Sequence, residues 1–141
     1  MKRRLVAGLL AAISLMAAPA GPGHAADCPV ESLSPLEVGK LIREAATCER
    51  ALTIFQSCGM GATSDTVLSG LVTEKCEAVF DGKLSAGQRR AYARAERACG
   101  RKYAKETGSE YRSLESFCYA EAAARMAKAF AKAKSATPSR K

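Results

Sequence analysis

Apolar positions recur at steps of three and four along most of the chain, the period of a helix buried on one face. Leu41, Ala45, Cys48, Leu52 and Phe55 form the first such row. Ser34 ahead of it can cap, Pro35 suits the first helical position, and Glu37 completes the pattern of a capping box. The spacing predicts one helix from Pro35 to Cys58, closed by Gly59 in the left-handed conformation. A second opens at Ser64 or Asp65, buries Leu68, Leu71, Val72, Lys75, Cys76 and Val79, and stops at Asp81-Gly82. A third starts at Ser85, with Gln88 completing another capping box, and runs to Thr107-Gly108. The fourth extends from about Glu110 towards Ala133, leaving 135–141 as a frayed, flexible basic tail. No alternating, β-rich run occurs. The fold class is therefore all-α: about four helices in antiparallel hairpins.

The third and fourth helices share a pattern around their cysteines. On a wheel of about 100° per residue, Gln88, Tyr92, Ala95, Cys99 and Tyr103 lie on one side of the third helix. Arg90, Arg94, Arg97, Arg101 and Lys105 lie on the other. On the fourth helix, Tyr111, Leu114, Cys118, Ala122 and Ala129 share a stripe. Gly108-Ser109 is midway between Cys99 and Cys118, so a fold at that point brings the two cysteines level. The same level pairing puts Arg125 beside Tyr92, either over the aromatic ring or reaching past it into solvent.

The start of the chain is of a different kind. Met1-Lys2-Arg3-Arg4 is cationic, Leu5 to Ala18 is apolar, and small residues follow at Gly23 and Ala25. That order reads as a secretory signal peptide, residues 1–25, cleaved after Ala25. The apolar run is shorter than the roughly 20 residues of a membrane span. Asp27 before Cys28 does not suit a lipidation site. These features predict a periplasmic or secreted protein, not membrane-spanning, with residues 26–134 as a single domain.

Export settles how the cysteines read. Cys28, Cys48, Cys58, Cys76, Cys99 and Cys118 are an even set in a short exported chain, hence three disulfides. There is no Cys-x-x-Cys pair, and the only histidine, His24, leaves with the signal, so no metal set is available to them. Cys99 pairs with Cys118 across the hairpin. For the rest, Cys48 and Cys76 are equidistant from Gly61-Ala62, which suggests joining them. That would leave Cys28 to reach Cys58 along a helix about 35 Å long, which an extended segment of about 20 to 25 Å does not span. Reach therefore favours sequential pairing, Cys28–Cys48 and Cys58–Cys76.

Composition narrows the function further. Histidine, the commonest general base, is gone from the mature chain, and oxidised cysteines offer no thiolate. Glu74 with Glu77 and Glu110 with Glu115 are spacings common on solvated helix faces. Gly59-Met60-Gly61 lacks the lysine of a phosphate loop. The reading is a protein that is not an enzyme and takes no cofactor. Processing leaves 19 basic against 14 acidic residues, a net charge of +5. Eight of those basic residues fall between Lys83 and Lys105, with only Glu96 against them, and no acid follows Glu121. Such a face is either an ordinary solvated surface or a site for anionic glycan or lipid headgroups. Nucleic acid ranks below these because an exported protein rarely meets it.

Leu84, Gln88, Cys99, Gly108-Ser109, Cys118 and Arg125 together resemble the LprI-type, lysozyme-inhibitor-like family of exported bacterial proteins over about residues 84–130. The resemblance implies a helical, cysteine-bridged fold and a lysozyme, or another envelope protein, as partner. The chain departs from the pattern at Ala91, where a tryptophan is usual, and at Arg94-Ala95, where a tyrosine-arginine pair is usual. No inhibitory residue carries over. A basic inhibitor would also have to overcome repulsion from a basic lysozyme, and Glu31 to Glu49 is the one acidic region in the sequence that could do so.

Overall fold

The computed structural model describes residues 28–30 and 34–136. The signal segment expected over 1–25, and the tail beyond Ala136, lie outside the described residues. Five helices follow one another: α1 (Pro35–Glu44), α2 (Cys48–Cys58), α3 (Ser64–Glu77), α4 (Ala86–Tyr103) and α5 (Ser109–Ala136). Among the described residues there is no strand, as the periodicity predicts.

The long first helix of the sequence reading is two helices. The apolar row is continuous, and Ala45, Cys48 and Phe55 are all buried, but the backbone turns between Glu44 and Cys48. Ala45 ends α1 in an extended conformation, and its carbonyl accepts a hydrogen bond from Lys75 Nζ at 2.8 Å. Thr47 then caps α2, its Oγ1 accepting from the Arg50 amide at 3.1 Å. At the front of α1, Ser34 makes no side-chain cap, so the capping box expected with Glu37 is not formed. The corresponding box at Ser85 and Gln88 is complete.

That turn corrects the disulfide assignment. Cys28 is bonded to Cys58 and Cys48 to Cys76, with Cα–Cα distances of 4.9 and 4.7 Å; only Cys99–Cys118 matches the sequential scheme. An unbroken rod would hold Cys28 and Cys58 apart. Split at 45–47, the rod becomes two pieces of about 15 Å each, and α2 doubles back so that its last residue meets the segment ahead of α1. No described cysteine is free.

α3 is the central helix, packed by α1, α2 and α5. Its inner face carries Leu68, Val72 and Cys76, all essentially without solvent exposure. Val79, expected inside, is 38% exposed; the helix ends at Glu77, and Phe80 in the following turn takes the buried place. The stop expected at Asp81-Gly82 therefore comes earlier, and Gly82, with φ of +66°, lies in the turn that follows the helix.

α5 buries Ser113, Ser116, Ala120, Ala123, Ala124 and Ala127, and also Ala122, which the cysteine stripe predicted. Tyr111, Leu114 and Ala129, taken from the cysteine stripe, are exposed. α5 packs against α3, α4 and α2; its inner face is set by small residues that permit close approach to α3, and Cys118 sits at the edge of that face. Ser69 Oγ donates to the Ser116 carbonyl at 2.7 Å across this contact. One residue further on, Phe117 stacks on Phe55 of α2 with ring centroids 4.2 Å apart. A Cβ on Gly59 would overlap the Phe117 ring. Gly59 has φ of −64°, so close packing, and not the left-handed cap expected, calls for glycine there. α4 ends at Tyr103, four residues before the predicted stop, while Ser135 and Ala136 are still helical. Gly108, φ +109°, turns the chain into α5.

Candidate functional site

The outer face of α4 carries the basic row. Arg90, Arg94, Arg97 and Arg101 are all exposed, and Lys105 is exposed just past the helix end. The two ion pairs of the described residues, Lys40–Glu44 and Arg125–Glu121, involve none of them, and none makes a side-chain hydrogen bond. The eleven steps from Arg90 to Arg101 span about 16 Å at 1.5 Å per residue. Like charges three and four apart on a helix repel, each pair costing about 0.2–0.5 kcal/mol. The Cys99–Cys118 bond opposes this: a closed loop with a sequence separation of 19 contributes about 3 kcal/mol in the chain-entropy model. The staple outweighs the repulsion and keeps α4 on α5 with its cations outward.

The inner flank of α4 has the opposite character, which the sequence did not foretell. Tyr92 Oη donates to Glu77 Oε1 at 2.7 Å and the Tyr92 ring meets Phe80 edge-on at 5.4 Å. Arg125, the neighbour proposed for Tyr92, turns outward and pairs with Glu121 at 3.4 Å. Tyr119 Oη donates to Glu115 Oε1 at 3.0 Å. Gly100 makes room for it, since a Cβ there would lie 3.1 Å from that hydroxyl.

These groups line two adjoining hollows. One, of about 560 Å³, lies beside Glu74, Glu77, Phe80, Leu84, Arg89 and Tyr92. The other, of about 420 Å³, is bordered by Glu74, Glu77, Glu115, Ser116 and Tyr119. Partial burial raises the Glu96 carboxyl above its ordinary value, with the Glu77 charge adding to it and Arg97 opposing. Burial, then the hydrogen bond to Glu77, raises the Tyr92 phenol far above its usual range. Burial, then the hydrogen bond to Glu115, also raises the Tyr119 phenol above its usual value. Both hydroxyls are thus held as donors to carboxylates. The carboxylates come from three helices, so no window of sequence shows them together; the Glu74/Glu77 spacing was visible, but read as solvated surface. Glu37, Glu44 and Glu49, from the acidic segment, are exposed on α1 and α2, and Glu44 is paired with Lys40.

Among the described residues no group of three or more His, Cys, Asp or Glu is arranged to hold a metal ion. No described helix is long and apolar enough to cross a membrane. Comparison with protein-family models, with curated proteins and with solved structures finds no match.

One further carboxylate is structural. Asp65, in the first turn of α3, is completely buried. Its oxygens accept from the Met60 amide at 3.2 Å, the Ala62 amide at 3.3 Å and Ser113 Oγ at 2.6 Å. It ties the α2–α3 loop to α5. An aspartate at a helix start reads as a solvent-facing cap, and nothing local distinguishes this one.

Proposed function

We propose that this is an exported, non-enzymatic binding protein that holds anionic groups of the cell envelope, acidic glycan or lipid headgroups, along the outer face of α4. The observation that carries the reading is the row of exposed cations without a hydrogen bond or ion pair, four on a disulfide-anchored helix and Lys105 just past its end. The cationic-apolar-small start of the chain and three disulfides support a periplasmic or secreted location. The oxidised protein should be retained on immobilised lipopolysaccharide at low ionic strength and released by salt, because exposed charges are screened. Replacing Arg90, Arg94, Arg97 and Arg101 by glutamine should abolish retention while leaving the far-ultraviolet circular dichroism unchanged. Equal retention of the variant would reduce the row to a solvated helix face.

A second reading, lysozyme inhibition, is the specific function implied by the family resemblance. The acidic hollows beside Glu74, Glu77 and Glu115 favour it, since they give a basic enzyme a complementary surface that the overall charge denies it. Inhibition assays against several lysozymes test it, and no effect at micromolar protein would remove it.

A further inference from the structure

We infer that the α4 face takes one linear polyanion, a polymer of repeating oxyanion groups laid along the helix axis, and not the flat surface of an anionic bilayer. The inference rests on the proposed binding role of α4 and names the shape of its ligand. Four cations in single file over about 16 Å, at rises of about 6, 4.5 and 6 Å, offer a track one chain wide. Four of the five groups are guanidinium forks, which can grip phosphate, sulfate or carboxylate through two parallel hydrogen bonds. A rod lying on a plane meets it along a line, so a bilayer would engage this face only at that line unless apolar side chains anchored it. None is present: the exposed large apolar residues, Leu36, Val67, Val79, Tyr111 and Leu114, all lie on other elements. Between the arginines α4 exposes only small residues such as Ala98.

The rest of the molecule confines the ligand to this track. On the inner flank of α4, Glu77, Glu96 and Glu115 repel an anionic chain. Counting antiparallel from the Cys99–Cys118 bond, Arg90 is level with about residue 127 of α5. Lys128 and Lys132, both exposed, are level with about residues 89 and 85, so the neighbouring stretch of α5 adds positive charge at the start of α4.

Inorganic polyphosphate chains of graded length, and vesicles of phosphatidylglycerol and phosphatidylcholine, provide the test with the oxidised protein. Affinity should rise at least tenfold as the polyphosphate lengthens to span the four arginines and then level off. The slope of log K against log salt should be about −3, from four contacts at about 0.7 each, and Arg94→Gln should flatten it by about 0.7. Vesicles at equal accessible phosphate should bind at least ten times more weakly. Binding that depends on the arginines but favours vesicles, or that ignores chain length, would overturn the linear-track inference while sparing the role of α4. Polyphosphate binding unchanged in the four-glutamine variant would overturn both.

Discussion

Replacing Cys48 and Cys76 together by alanine should cost the protein more than any other change considered. The bond closes a loop with a sequence separation of 28, for which the chain-entropy model gives about 3–4 kcal/mol. Both residues are also in the core, 4% and 0% exposed, at the point where α2 crosses onto α3. Removing the sulfurs leaves unfilled volume among Ala45, Ala51, Val72 and the neighbouring side chains, so the loss should exceed the entropic figure. Urea unfolding should show a midpoint far below that of the parent, or no cooperative transition at all. A loss under about 1 kcal/mol would contradict this account of the bridge, since it is well short of the 2–5 kcal/mol typical of native disulfides in small secreted domains.

Asp65→Ala should have the second largest effect. It strands two loop amides and the Ser113 hydroxyl, groups that now have the carboxylate as their acceptor. Each buried donor left without a partner costs about 1–3 kcal/mol. Partial access of water to the Met60 and Ala62 amides lowers the sum, which gives about 2–5 kcal/mol overall. Asp65→Asn keeps one acceptor oxygen and should fall between the two. The decisive comparison is a double-mutant cycle with Ser113→Ala. Once Asp65 is alanine, removing the stranded hydroxyl should cost less than it does in the parent, or even restore stability. Strict additivity would mean that the 2.6 Å contact does not couple α3 to α5.

What the sequence made legible was what periodicity and end signals carry. Ser85 and Gln88 placed the start of α4 to the residue, and the opposition of Cys99 to the arginines fixed which face of that helix looks outward. The break at 45–47 was hidden because Ala45 and Ala46 are strong helix formers and the apolar row passes through without a gap. The turn is held from outside, by Lys75 on α3 and by two disulfides. Tertiary partners of this kind leave no mark on local sequence, and missing the turn led directly to the wrong pairing of four cysteines. The face of α5 was misplaced for a related reason. Its buried residues are alanines and serines, which carry little hydropathic signal, whereas the more visible Tyr111 and Leu114 face solvent. For the candidate site, the basic row was readable because it lies on one helix. The acidic hollows required three.

An oxidised frame folds α2 back on α1 and holds α4 against α5. Trypsin cleavage after Lys40, Arg43, Arg50, Lys75, Lys83, Arg97, Arg101, Arg112 and Arg125 puts every cysteine in a separate peptide. Mass spectrometry of a non-reduced digest should therefore find the peptide ending at Lys40 joined to 51–75, 44–50 joined to 76–83, and 98–101 joined to 113–125. A peptide ending at Lys40 that carries 44–50 instead, or free thiols at Cys99 and Cys118, would contradict the frame.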